Sequence, residues 1–149
     1  MSREDITTQI LYSHYLEKLY ATAMGRIDKI ISVLIIIFGS SIILNGNPFI
    51  FGVLVVALTG LQTVFQFGNK SGTARKKSFY YQRLYTTESK YNDDDLLFQM
   101  LEIESSDESI WTSLEEIAAV KTEIKLGAAD FSELKKLPLR LRLLRFICG

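Results

Sequence analysis

The fold of this chain is decided by two apolar stretches, IDKIISVLIIIFGSSIIL (Ile27–Leu44) and FIFGVLVVALTGLQTVFQF (Phe49–Phe67), which only NGNP separates. A helix that crosses the hydrocarbon core of a bilayer needs about 20 apolar residues, and about 17 at the short end. The second stretch reaches this length without a charge, whereas the first reaches it if Asp28 and Lys29 lie at the membrane interface. The pattern predicts a transmembrane helical hairpin with its turn at residues 45–48.

The alternative is a hairpin buried inside a soluble protein. With 149 residues in all, the chain has little left to wrap two such helices, so the membrane hairpin is the better interpretation. The first stretch also begins well inside the chain, follows a polar amphipathic segment and lacks a small-residue cleavage site before the second. We therefore expect both spans to persist in the mature protein.

The positive charges beside the spans predict their orientation. Basic residues flank both outer ends of the hairpin, while the turn carries no charge: Arg26 and Lys29 precede the first span, and Lys70, Arg75, Lys76, Lys77 and Arg83 follow the second. Cytoplasmic flanks of membrane helices are enriched in Lys and Arg. Both termini are therefore expected in the cytoplasm, with the basic residues after the second span close enough to the membrane to attract anionic lipid.

Charge is sorted along the chain although its formal net value is zero. Residues 1–87 carry nine basic against four acidic side chains, residues 88–116 carry one against ten, and residues 117–149 carry seven against three. An acidic middle segment that faces basic neighbours, in the same or an adjacent chain, explains this sorting. A solvated acidic face is the alternative.

The remaining segments are also interpreted as helices, which makes the predicted class all-α. We divide the chain into an N-terminal amphipathic cytoplasmic helix at residues 1–26, the hairpin at 27–67, a cytoplasmic helical region at 68–127 and a basic, apolar tail at 128–149. Asn69–Gly72 is expected to be a flexible polar break before a helix over Thr73–Tyr91. Ser105 and Glu108 have capping-box spacing ahead of a helix that Gly127 ends.

The tail LKKLPLRLRLLRFICG permits two interpretations. A helix beginning near Pro138 would group Leu137, Leu141 and Leu144 broadly together, and it would lie on the inner leaflet. The alternation of Leu and Arg instead suits a strand that is added to a partner. We favour the membrane-surface helix.

Thr59, Gln62 and Gln66 form a polar stripe in the second span, because they lie near one helix face. An amide in hydrocarbon needs a partner, so these side chains should face another helix or a wet cavity. Hydrogen bonding between helices satisfies this need without conduction. The second interpretation is a pore lined by the stripe, and since one hairpin cannot enclose water, it requires a homo-oligomer.

An anionic ligand has one candidate site after the second span. Arg75 and Arg83 lie about two helical turns apart and flank Tyr80 and Tyr81, an arrangement that combines phosphate pairing with base stacking. Cations that snorkel beside packed aromatic residues are the alternative. DNA or RNA binding is not expected, because the chain shows no recognisable nucleic-acid motif.

Catalytic machinery is not evident in the sequence. His14 is the single histidine and has no Cys or carboxylate cluster at metal-ligand spacing, and the lone Cys148 permits neither an intrachain disulfide nor a CxxC site. Walker and GxGxxG loops are absent, and the adjacent Glu115 and Glu116 diverge on a helix. We expect no enzyme, no metal and no cofactor.

These features together resemble the SLATT family of two-transmembrane effectors in bacterial conflict systems. The resemblance covers approximately residues 5–127: an amphipathic helix, a tight hairpin, the segment RKKSFYYQRLYTTESKY (Arg75–Tyr91) and the Trp-containing segment IWTSLEEIAAVKTEI (Ile110–Ile124). It is architectural, because the family has no sharp catalytic motif.

The resemblance implies an inner-membrane effector of bacterial antiphage defence. Such a protein oligomerises and permeabilises the membrane when its cytoplasmic helices receive a signal, for which a cyclic oligonucleotide that activates or restrains it is a candidate. The tail after Gly127 lies outside the match. The alternative function is a non-conducting membrane anchor or regulator, whose hairpin holds the cytoplasmic helices beside a partner protein.

Overall fold

The computed structural model describes residues 2–43, 47–105, 110–130 and 138–148, and the regular elements in these ranges are helices. They are α1 (Arg3–Ile43), α2 (Pro48–Phe65), α3 (Phe67–Thr86), a short 3₁₀-helix (Glu88–Lys90), α4 (Asp93–Glu104), α5 (Thr112–Leu126) and α6 (Leu139–Cys148). The predicted all-α class is confirmed.

Helix α1 joins the two segments that the sequence suggested as neighbours, the amphipathic helix and the first apolar stretch. It continues for 41 residues without interruption, which corresponds to a length of about 60 Å at 1.5 Å per residue. Gly25 lies inside this helix. One glycine costs a helix only about 1 kcal/mol, which long helical flanks on both sides readily offset.

Helix α2 begins at a well-formed cap. The Asn47 side chain accepts hydrogen bonds from the backbone N–H groups of Phe49 and Ile50, at 3.1 and 3.4 Å, and Pro48 occupies the first turn. Asn at the cap and Pro at the first helical position satisfy or remove donors that a helix start leaves unpaired. The rest of the predicted turn, Asn45 and Gly46, lies outside the described residues.

The break between α2 and α3 falls at Gln66, not at Asn69–Gly72 as predicted. Gln66 has φ 49° and ψ 44°, the left-handed conformation, while residues 67–86 form one helix. Ser71 explains why the polar segment stays helical: its hydroxyl donates to the backbone carbonyl of Ala21 at 2.7 Å, which fastens α3 to α1. A tertiary contact thus overrides the local turn preference of Asn and Gly.

The remaining cytoplasmic predictions shift by a few residues. Asn92 caps the start of α4 by accepting from the backbone N–H of Asp95 at 2.7 Å, so the Asn-Asp run begins a helix rather than only ending one. Gly127 ends α5 with φ 77°, as predicted. The proposed capping box lies outside the described residues at Glu108, and the tail after Pro138 is a helix rather than a strand.

One end of the molecule, called the bundle below, packs residues 3–26 of α1 against α3, α4, α5 and α6. It contains two apolar clusters. The first joins α1 to α5 through fully buried Leu19, Leu114 and Ile117 and to α6 through buried Cys148. The second joins the start of α1 to α3 and α4 through Ile6, Tyr81 and Leu96.

The start of α1 is also held by polar contacts, at the connection between α3 and α4. The Arg3 guanidinium pairs with the Asp93 carboxylate at 2.6 Å and donates to the backbone carbonyl of Glu88 at 2.7 Å. Arg3 and Asp93 therefore give one instance of the predicted pairing between the acidic middle and a basic neighbour.

The other end of the molecule consists of α2 and residues 30–40 of α1. No residue of α2 is buried, and apolar side chains such as Ile36, Val56 and Val64 are 67, 72 and 75% exposed. Within the described residues one helical stretch, Pro48–Thr86, which includes the break at Gln66, is long and apolar enough to cross a membrane, with a mean hydropathy of 2.0 in its most apolar 18-residue window. The other described residues leave this apolar surface exposed.

Candidate functional site

A polar cluster joins α1 to α2 at the boundary between the bundle and the exposed apolar end. The Gln62 side-chain amide donates to the Asp28 carboxylate at 2.9 Å and to the Ser32 hydroxyl at 3.0 Å. The Ser32 hydroxyl in turn donates to the backbone carbonyl of Asp28 at 2.9 Å. These three residues are called the junction cluster below, and all three are half-buried.

Helix geometry explains how the junction cluster forms. Asp28 and Ser32 are four residues apart on α1 and share a face. Contact of Phe38 with Phe51 nearer the turn, and of Asp28 with Gln62 farther from it, shows that α2 returns alongside α1. The antiparallel course of α1 and α2 thereby sets which residue of α2 meets Ser32.

Small residues let α3 approach α1 beside the junction cluster. A Cβ atom on Gly68 would lie 3.2 Å from the Asp28 carboxylate, and a Cβ atom on Gly25 would lie 2.8 Å from the Ser71 hydroxyl. Real Cβ atoms essentially never come as close as the second distance. A side chain at Gly25 would therefore require the Ser71 hydroxyl to shift, and one at Gly68 would require the Asp28 carboxylate to give by a few tenths of an ångström.

The predicted polar stripe is divided by the structure. Gln62 faces α1, whereas the exposed Thr59 donates its hydroxyl to the backbone carbonyl of Val55 in its own helix at 2.8 Å. Gln66 is exposed at the break, and its side-chain oxygen accepts from the Asn69 amide at 3.3 Å. Of the three residues, Gln62 alone bridges the two helices, which is the hydrogen-bonding interpretation of the stripe in a single chain.

The four candidate ligand contacts are not brought into one site. Tyr81 is 0% exposed in the core, so its ring is not open to a ligand. Tyr80 and Arg83 line a cavity of about 230 Å³ between α3 and α4, while Arg75 lines different cavities on the side that faces α1. The sequence spacing suggested convergence, but residues 80 and 81 point in directions about 100° apart on a helix.

His14 forms a buried contact between α1 and α3. Its Nδ1 lies 2.8 Å from the backbone carbonyl of Ser78, and because a carbonyl only accepts, Nδ1 carries the proton. The Ser78 hydroxyl donates back to the His14 carbonyl at 3.2 Å. Burial lowers the pKa of His14, against a smaller raising effect of the bond to Ser78. A neutral imidazole in this position holds two helices together.

Metal or thiol chemistry finds no support in the described part of the chain. No group of three or more His, Cys, Asp or Glu side chains there is placed to hold a metal ion. Cys148 is buried, and burial raises the pKa of its thiol, which disfavours the reactive thiolate.

Asp28 and Ser32 are the site residues that sequence reasoning missed. The sequence places Asp28 at the membrane interface and pairs neither residue with Gln62. The predicted turn at residues 45–48 could have indicated this pairing, because a tight turn brings together residues that lie at nearly equal distances on its two sides.

Comparison with protein-family models, with curated proteins and with solved structures gives no match for this chain.

Proposed function

We propose that the protein is a two-span effector of bacterial antiphage defence that permeabilises the inner membrane as an oligomer. In this proposal the exposed ends of α1 and α2 form a transmembrane hairpin, and the bundle with both termini lies in the cytoplasm. A signal at the bundle, for which a cyclic oligonucleotide is the candidate, controls the hairpin. The resemblance to SLATT proteins motivates the defence role.

The observation that carries the membrane part is the exposure of α2. Apolar side chains cover this helix and none is buried, whereas the bundle next to it has a packed core. Such a surface is stable when lipid covers it. The basic residues Arg26, Lys29 and Arg75 lie at the base of the exposed end, where the cytoplasmic headgroup layer would be.

The continuity of α1 supports control from the bundle. One helix carries both the core residue Leu19 and the exposed Ile36, so a displacement of the bundle is passed to the membrane end without a hinge. The junction cluster lies on this route. In a single chain Gln62 is satisfied by Asp28 and Ser32, and in a water-lined oligomer it would exchange these contacts for water.

Membrane potential tests the proposal. The full chain is induced in bacterial cells with and without candidate cyclic nucleotides, and a voltage-sensitive dye is followed. We expect depolarisation that depends on the protein and changes with the nucleotide. A steady potential in every condition, with insertion verified by labelling of engineered cysteines, contradicts permeabilisation.

A leakage assay then tests the amides. In vesicles that hold the purified protein, replacing Gln62 and Gln66 with Leu is expected to suppress dye release, while Thr63→Val in the same helix serves as the matched control. Equal leakage from all three proteins contradicts a role of the amides.

A second function, the non-conducting anchor or regulator, is favoured by one specific observation. The Gln62 amide already has both of its contacts within one chain, so it requires neither water nor a second copy. The anchor predicts a stable partner protein in pull-down experiments and an intact potential on overexpression.

A further inference from the structure

A groove runs between α1 and α3 on the face away from α5. It contains a cavity of about 410 Å³ lined by Arg26, Asp28, Lys29, Gly68, Gly72 and Arg75, among others. A second cavity of about 310 Å³ shares Ala21, Thr22 and Arg75 with the first and reaches Lys18. The two together are called the α1–α3 groove.

The α1–α3 groove is strongly basic. Lys18, Arg26 and Lys29 follow one another along α1 at helical spacing, and Arg75 faces them from α3. Among the described residues that line the two cavities, Asp28 is the single carboxylate, and it accepts a hydrogen bond from Gln62. The described side chains that line the groove therefore carry a net positive charge.

Two of these cations have no other described role. Lys29 and Arg75 are exposed, and neither makes a hydrogen bond or an ion pair with another residue in the described ranges. Arg26, in contrast, donates to the backbone carbonyl of Phe146 at 2.7 Å, so part of its guanidinium fastens α6. Lys29 and Arg75 are left to face an external anion.

The floor of the α1–α3 groove admits a close approach to the backbone. Gly72 lines the larger cavity, and nothing lies within 4 Å of the place where its Cβ atom would be. An Arg guanidinium pairs with phosphate through two parallel hydrogen bonds, and a Lys ammonium adds a compact charge. Bare backbone between two such cations fits a phosphate group better than it fits an apolar ligand.

We infer that the α1–α3 groove binds a phosphate-bearing anion between Lys29 and Arg75. The groove ends beside Ile30, which is 58% exposed and begins the apolar end of α1. In the proposed function α1 enters the bilayer at this point, so the phosphate belongs to the headgroup of an anionic phospholipid. This choice of ligand rests on the proposed function. A soluble nucleotide phosphate is the other source with the same chemistry.

The experiment uses the full chain in a neutral detergent and native mass spectrometry to measure bound ligand. The probes are short-chain phosphatidylglycerol, zwitterionic phosphatidylcholine of equal chain length, and a cyclic dinucleotide. The test variant is Lys29→Gln with Arg75→Gln. The control is Lys90→Gln with Lys125→Gln, which removes the same charge from exposed positions that line neither cavity of the groove.

We expect wild type to bind phosphatidylglycerol more tightly than phosphatidylcholine. The test variant should weaken this binding at least about tenfold, the effect of losing one charged hydrogen bond, while the control stays within about twofold. Binding of the dinucleotide alone, with the same loss in the test variant, also supports the phosphate site and assigns it to a soluble ligand.

Three results overturn the inference: no probe binds wild type, the test variant binds as wild type does, or the control loses as much affinity. Circular dichroism and the unfolding midpoint show whether each variant is folded. The binding measurement is made in detergent and does not depend on membrane permeabilisation. A negative binding result therefore contradicts only the phosphate site, and a steady membrane potential contradicts only the permeabilisation.

Discussion

The two ends of α1 carry the same kinds of side chain in opposite surroundings. Ile10 is 0% exposed in the bundle, whereas Ile36 is 67% exposed at the apolar end of the same helix. The difference lies in the neighbours, since α3, α4, α5 and α6 surround the first end and α2 alone accompanies the second. Burial here is decided by what packs against a helix and not by its own composition.

Polarity is inverted between the same two regions. The interior of the bundle holds His14, Glu17 and Lys77, all at least nine-tenths buried, while the exposed face of α2 has no charge. Glu17 and Lys77 line the same small cavity. A protein with one aqueous solvent shows the opposite arrangement. This contrast is the one expected under the proposed function, with water around the bundle and lipid around the apolar end.

The core of the bundle gives the largest expected effect. Tyr81→Ala removes a fully buried ring, and replacing a buried aromatic residue by Ala costs about 3–5 kcal/mol of unfolding free energy. Tyr80→Ala, at a ring that is 50% exposed, should change it by no more than about 0.5 kcal/mol. Denaturant titration in detergent measures both, and equal losses contradict the assignment of Tyr81 to the core.

The same substitution should have opposite signs at the two ends of α1. Gly25→Ala places a methyl group 2.8 Å from the Ser71 hydroxyl, so we expect a loss of about 1–3 kcal/mol from overpacking. Gly39→Ala meets nothing within 4 Å and should gain up to about 1 kcal/mol from helix propensity. Unfolding midpoints measured in one detergent test this, and a loss at Gly39 comparable with that at Gly25 refutes the contrast.

The junction cluster should contribute less than the core. Gln62→Leu removes both hydrogen bonds to α1 and is expected to cost about 1–2 kcal/mol, the range for polar contacts between membrane helices. Thr59→Val removes only a bond within α2 and should be nearly neutral. The rate of disulfide formation between cysteines introduced at Phe38 and Phe51 reports helix pairing, and it should change in the first variant only.

The smallest effect concerns pH and is confined to the bundle. Burial holds the pKa of His14 below its ordinary 6.5, and nearby Lys18 lowers it further. Between the lowered pKa and 6.5 the unfolded chain binds more protons than the folded one, so the unfolding free energy falls as pH drops through 6.5. Above 6.5 both states are neutral, and this residue adds no pH dependence.

The comparison of wild type with His14→Gln isolates that effect. Wild type should lose more stability between pH 7.5 and the acidic side of the window than the variant does. Identical pH profiles for the two proteins would show that His14 titrates alike in the folded and unfolded states.

Local patterns predicted part of the helical elements. Runs of apolar residues predicted the helices on both sides of the turn, and Gly127 was expected to end the helix that precedes it, as it does in α5. These signals depend on neighbours within about one helical turn, because caps and periodicity are properties of consecutive residues. They are readable without knowledge of what packs where.

The contacts between helices could not be predicted from such local patterns. Tyr80 and Tyr81 are identical and adjacent, yet one is exposed and one fills the core, and the break predicted at Asn69–Gly72 moved to Gln66 because Ser71 binds the Ala21 carbonyl. Which face of α3 meets α1 depends on the summed fit of all contacts along both helices.

The sequence by itself determined an all-helical chain with a long apolar segment beside a polar remainder, because hydropathy and helical periodicity are local. Only the tertiary structure decided that Gln62 meets Asp28 and Ser32, that Tyr81 is enclosed, and that Lys29 and Arg75 line one groove between α1 and α3. The physical reason is that these pairings are set by helix register and rotation, which residues distant in the chain fix together.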